Sequence, residues 1–228
     1  MSEFEIKNTS EAHIDGIKIL IYGESGVGKT TQLGTLEGKT LVLSAESGLL
    51  VLKDKKIDVI DILDIATLGK VYLGIRDGKL KYNNVCIDSL TEIGEMIVSE
   101  LEDDEYFGNP SNTFPKWQEY SKKIIKMVKM FRDLKGVNII FSALRESVEA
   151  NGSVVYMPQI PAKKAQSKLT STMDEVYYIN INNDGQRVLH TNSTSTYVAK
   201  TRANVESGQV ISDTVNIGSI LKSITTKK

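Results

Sequence analysis

The run Gly23-Glu24-Ser25-Gly26-Val27-Gly28-Lys29-Thr30 places two of its glycines, a lysine and a threonine in the spacing G-x-x-x-x-G-K-[ST]. Those residue types, so spaced, can hold a polyphosphate. Glycines let backbone N–H groups curl around phosphate oxygens. Lys29 reaches towards the β- and γ-phosphates, and the Thr30 hydroxyl is a ligand for Mg²⁺. Four fixed positions match by accident in a chain of this length roughly once in a hundred cases, so the pattern is specific. Its flanks agree with it. Ile17-Lys18-Ile19-Leu20-Ile21-Tyr22 reads as a buried strand, and Thr30-Thr31-Gln32-Leu33 opens a helix whose positive end faces the phosphates. The nucleotide-binding set is therefore Gly23 through Thr30, with Thr31 beside it.

Two carboxylates are placed to serve such a loop. Asp88 ends the apolar run Asn84-Val85-Cys86-Ile87-Asp88, and an aspartate at the carboxyl edge of a buried strand can hold Mg²⁺ opposite Thr30. A helix-capping role for Asp88 is the plainer alternative. Ser89 follows it rather than a glutamate, so a water-activating carboxylate has to lie elsewhere. Glu46, just past Leu41-Val42-Leu43-Ser44-Ala45, can orient a water if that strand lies near the phosphate loop. A surface glutamate looks the same in sequence. Lys200 and Arg202 are two apart on an expected strand and so share a face, where both cations could meet one phosphate group. An exposed basic strand end is the other reading.

These residues need a scaffold, and the hydrophobic pattern supplies one. Further strands are expected at residues 40–45, 57–61, 84–88 and 137–142. Helices are expected at 64–76, from the cap Ser89 onward, and along the stripe Trp117, Tyr120, Ile124, Val128, Phe131 and Leu134. Strands that alternate with helices argue for an α/β fold, a mostly parallel sheet covered on both faces. Residues 103–115 read as a surface loop, and Lys116, Lys122, Lys123, Lys126 and Lys129 as a solvated face or a nucleic-acid track. In the last third, Asn151-Gly152 and Asn183-Asp184-Gly185 signal hairpins. Antiparallel strands are expected at 175–182, 186–191 and 195–200, then a helix at 216–224 and a tail at 225–228. No linker or repeat divides the chain, so residues 1–228 read as one domain, with 1–15 and 225–228 peripheral.

Composition narrows the class further. The 228 residues are 40% hydrophobic and 25% charged, with net charge −1. That balance is ordinary for a globular protein and excludes a chain-wide footprint for nucleic acid, so any such contact must be local. One cysteine, Cys86, excludes an internal disulfide framework. With no apolar leader and no membrane-length apolar run, the expectation is a cytoplasmic protein with no membrane partner.

The loop, a glutamate after the next strand, the strand end Ile87-Asp88-Ser89 and the late Lys200-Thr201-Arg202 together resemble the RecA-like P-loop ATPase core. The nearest resemblance is to the compact bacteriophage group that includes Sak-type single-strand annealing and recombination proteins. It covers about residues 18–202. It implies ATP and Mg²⁺ as cofactors, Lys29 and Glu46 as catalytic groups with Glu46 the general base, and Asp88 supporting the metal. Lys200 and Arg202 would enter a neighbouring subunit's site, so the resemblance implies a homo-oligomer, ring or filament. Ser142 stands where the family has a longer polar side chain reporting on phosphate. DNA contacts would come from loops at 145–158 and 159–173, where Lys163, Lys164 and Lys168 suit phosphate contact and Tyr156 suits base stacking. The implied function is ATP-dependent recombination on single-stranded DNA in a host cytoplasm, alongside a phage single-strand DNA-binding protein. An ATP-dependent switch acting on a protein partner uses the same loop. A phosphotransferase fits less well, because residues 102–115 are acidic and lack an arginine-rich lid; guanine specificity fits less well without Asn-Lys-x-Asp.

Overall fold

Strands that are apolar at nearly every position must be covered on both faces, and the chain meets that demand with one sheet between two helical layers. The computed structural model describes residues 15–46, 48–150 and 152–226. Six strands run parallel in the order β3 (Asp58–Asp61), β2 (Thr40–Ser44), β4 (Asn84–Asp88), β5 (Asn138–Ala150), β1 (Lys18–Gly23) and β7 (Glu175–Ile181). β8 (Arg187–His190) and β9 (Gln209–Val210) extend this sheet antiparallel beyond β7, and β6 (Ser153–Pro158) pairs antiparallel with the far half of β5. The α/β class and the antiparallel C-terminal additions are as the pattern predicts.

Alternation along each strand divides the core. Leu20, Tyr22, Leu43, Ile87, Phe141 and Tyr178 face α2 (Ile65–Arg76), α3 (Leu90–Glu102), α4 (Thr113–Arg132) and α5 (Lys163–Thr172). Ile19, Ile21, Val42, Cys86, Ile140 and Tyr177 face α1 (Lys29–Leu33) and α6 (Ile217–Thr226). Burying each such side chain contributes about 1.5–3 kcal/mol. Lys18 is the exception in β1. Its Nζ donates to the carbonyls of Asp15, Leu134 and Val137. Burial pushes the ammonium down to about 8, against the raising effect of the Asp174, Asp15 and Asp133 carboxylates.

Ser89 caps α3 as the sequence predicts, and Asp64, expected as the first residue of its helix, is the cap of α2. Asp64 accepts from the Thr67 N–H at the start of α2, and Ser89 accepts from Glu92 at the start of α3. The Asn182 side chain closes the β7–β8 turn on Asp184 and Gln186, with Gly185 at φ 76°. The α4 lysines serve a solvated face: Lys116, Lys122 and Lys123 pair with Glu102, Glu119 and Glu100.

Four expectations are corrected. Residues 145–158, a DNA-contacting loop by the family resemblance, are instead the β5–β6 pair that the Asn151-Gly152 signal predicts. Residues 159–173 are mostly α5, whose buried Ala165 and Leu169, four apart with Met173 following, carry a helical period. The 103–115 loop is shorter, because α4 starts at Thr113 after a 3₁₀ turn at Pro110–Asn112. Residues 195–200 make isolated bridges at Tyr197 and Lys200 rather than a strand. There the Ser193 hydroxyl binds both the N–H and the carbonyl of Ala199, and such local bonds compete with ladder pairing. Thr225 and Thr226 complete α6. Residues 1–14, Asn151 and the end of the tail lie outside the described residues.

The contact of α6 with α1 is tight at Gly218, where a Cβ would come within 1.9 Å of the Thr35 carbonyl oxygen. Gly218→Ala should therefore lower unfolding free energy by about 1–3 kcal/mol in urea titration. Lys222→Ala, which removes an exposed pair with Glu37, should change it by less than about 0.5 kcal/mol.

Candidate functional site

The phosphate loop leaves β1 at the carboxyl edge of the sheet, and its shape follows from its glycines. Gly26 and Gly28 have φ of 75° and 98°, conformations that L side chains rarely adopt. α1 is only five residues long, so the loop's own N–H groups, more than a helix dipole, must supply the positive field. Lys29 is buried and folds back over the loop, its Nζ donating to the carbonyls of Gly23 (3.2 Å) and Glu24 (2.8 Å). Burial lowers its pKa, while the Glu46 and Asp88 carboxylates oppose that shift.

Asp88 lies across the sheet from this loop, because β5 separates β4 from β1. Its carboxylate nevertheless meets both neighbours. Thr30 Oγ1 donates to Asp88 Oδ2 at 2.9 Å, and Ser142 Oγ donates to Oδ1. Asp88 and Ser142 are fully buried. The two oxygen donors Thr30 and Asp88 form the kind of set that Mg²⁺ takes with phosphate oxygens and water completing its shell.

Glu46 reaches the same edge by a different route from the one its spacing implied. β2 is not beside β1; it pairs with β4, and the Ala45 and Glu46 N–H groups both donate to the Asp88 carbonyl. That fold-back brings the Glu46 carboxylate within electrostatic range of Lys29.

Lys200 and Arg202 lie towards the other end of the sheet. Lys200 bridges Val176, whose partner on β1 is Leu20, three residues or about 10 Å before Gly23. Its Nζ is bound by the carbonyls of Thr170, Ser171 and Met173 where α5 ends. Arg202 pairs with Asp174 at 2.8 Å. Neither cation is brought to the chain's own phosphate loop. Lys163, Lys164 and Lys168 lie together on the exposed face of α5. Tyr156 does not offer a free ring face on the side that the Arg145 guanidinium covers, 4.1 Å from its centroid.

Two arginines were missed by sequence reasoning. Arg187 Nε donates to the Val27 carbonyl, and its side chain lies over Gly28. It helps to line a cavity of about 750 Å³ with Thr31, Gln32, Gln186, Asp213 and Asn216. Arg145 pairs with Glu24 of the loop. Neither sits in a local pattern; strand pairing alone brings them to the loop.

Fold and site together define a P-loop nucleotide-binding domain. A family model described as AAA domain matches residues 15–203, and the chain belongs to that family. No curated protein matches the chain. No helix among the described residues is long and apolar enough to cross a membrane.

Ser142→Ala removes one of the two hydroxyls on a buried carboxylate. It should lower stability by about 1.5–3 kcal/mol in denaturant titration, in line with a charge-assisted hydrogen bond.

Proposed function

We propose that this protein is a Mg²⁺-dependent ATPase of the RecA-like kind that handles single-stranded DNA as an oligomer, in the manner of the compact phage annealing and recombination group. The observation that carries this reading is the continuity of β5. Ser142 on that strand contacts Asp88, and from Arg145 onward the same strand pairs with β6, which leads to the lysine face of α5. In this reading β5, β6 and α5 link the nucleotide site in sequence to the surface proposed to meet DNA.

In this reading the triphosphate lies in the loop with Lys29 turned from the Gly23 and Glu24 carbonyls onto the phosphates. The nucleoside occupies the cavity beside Gly28, under Arg187. Thr30 and Asp88 would hold Mg²⁺, which when bound offsets charge on the β- and γ-phosphates. Glu46 accepts the proton of the attacking water as the bond to the β,γ-bridging oxygen breaks, and ADP and phosphate are released. Ser142 keeps the Asp88 carboxylate aimed. Because Lys200 and Arg202 lie some 10 Å or more from their own loop along the sheet, any contact they make with a γ-phosphate is with a neighbouring subunit's nucleotide. Such a contact requires them to leave Asp174 and the α5 carbonyls. Lys163, Lys164 and Lys168 take DNA phosphates without reading sequence.

Glu46→Gln should leave ATP affinity within about twofold and lower turnover by about 10²–10⁴; unchanged turnover removes Glu46 from the reaction. The decisive measurement is ATP hydrolysis with and without single-stranded DNA at low salt. Stimulation that fades as salt rises, and that is lost when Lys163, Lys164 and Lys168 are all alanine, supports the DNA reading. Turnover without stimulation or DNA binding favours a switch that acts on a protein partner.

A further inference from the structure

The Arg145 side chain of the β5–β6 hairpin is bonded to the phosphate loop. Gly23 pairs with Leu144, so Arg145 is the first residue of β5 beyond the edge where the loop begins. Its guanidinium meets two groups of different chemistry. One face lies over the Tyr156 ring of β6. One Nη donates to the carboxylate of Glu24, the second residue of the phosphate loop. The Arg145 side chain is 22% exposed, whereas Glu24 is 64% exposed.

That arrangement leaves Arg145 under-used. A guanidinium has five N–H donors, and the buried Nε has no hydrogen-bond partner among the described residues. A buried donor without an acceptor is costly. The Tyr156 platform is itself fixed: it stacks on Tyr178 at 5.9 Å, and its carbonyl accepts from the Tyr22 hydroxyl on the strand that feeds the loop. The arginine is therefore held flat, next to an anion-binding loop, with an unsatisfied donor and an exposed carboxylate as its present partner. A phosphate group offers more acceptor oxygens and more charge than Glu24, and it matches the planar fork.

We propose that Arg145 is a latch for the terminal phosphate: its guanidinium exchanges Glu24 for the γ-phosphate of a bound nucleoside triphosphate and draws the hairpin onto the loop. A diphosphate leaves the Glu24 pair in place. This inference rests on the nucleotide reading of the site and assigns to it a contact that separates triphosphate from diphosphate.

The test uses the full chain, with ADP and the non-hydrolysable β,γ-imido analogue of ATP as probes. Affinity for each is measured by calorimetry, and amide exchange is followed across residues 145–158. The wild type should bind the analogue with slower exchange in the hairpin than it shows with ADP. Arg145→Ala should reduce the analogue-to-ADP affinity ratio by roughly tenfold or more, with ADP affinity unchanged, and abolish the difference in exchange. Arg145→Lys, which keeps the charge but loses the fork and the flat stacking, should restore little of the ratio. Glu24→Gln serves as a second variant that leaves the arginine in place; it should loosen the hairpin without nucleotide and retain its closure with the analogue. Binding by the wild type with the same ratio in Arg145→Ala and the same exchange with both probes overturns the latch alone. Absence of binding to either probe overturns the nucleotide reading and the latch with it.

Discussion

The Asp88 carboxylate is the point on which the site depends, because it ties its two neighbouring strands to the phosphate loop, which the sheet keeps one strand away. β1 and β4 are not neighbours; β5 runs between them. Thr30, at the start of α1, and Ser142, in the middle strand, both donate to Asp88. Its own backbone carbonyl accepts the two N–H groups that turn β2 towards Glu46. A buried carboxylate is tolerated only where such donors meet it, so the burial that would make Asp88 costly is also what makes its position exact enough to organise the loop edge.

From that point the structure divides into two functions of one sheet. The apolar alternation of the central strands gives both faces to helices and leaves only the carboxyl edge open for chemistry. The edge is then filled by pieces from distant parts of the chain: the loop after β1, the turn after β2, the end of β4, the outward half of β5 and the β7–β8 turn with Arg187. An aromatic group lies behind them. Tyr178 is in contact with Tyr22, Tyr156, His190 and Tyr197, and His190 is bonded through both ring nitrogens, to Asn180 and Tyr197. This cluster fixes the hairpin and the segment before Lys200 against the strand that feeds the loop.

The basic residues show how place decides use. Lys18, Lys29 and Lys200 are all bound to backbone carbonyls, yet only Lys29 lies at the loop. The α4 lysines are largely taken up by carboxylates on their own surface. Those of α5 share an exposed face on the element that follows the hairpin, and this is why they, rather than the α4 row, enter the functional reading.

What the sequence determined by itself was whatever depends on near neighbours in the chain. The phosphate loop, the Ser89 cap, the Asn183–Gly185 turn and the apolar strands are legible because their physics is local: backbone freedom at glycine, a side chain reaching three residues on, a period of two or 3.6. The period of α5 was also present, in Ala165, Leu169 and Met173, but the family resemblance, which puts a DNA-contacting loop there, drew the reading towards a loop. The tertiary structure decided the rest. Sheet order set the route by which Glu46 reaches Lys29 and placed Lys200 and Arg202 away from their own loop. Pairing of Gly23 with Leu144 put Arg145 beside Glu24, 121 residues away in the chain. No local pattern encodes such a meeting, because it is made by the packing of strands whose order the hydrophobic pattern leaves free.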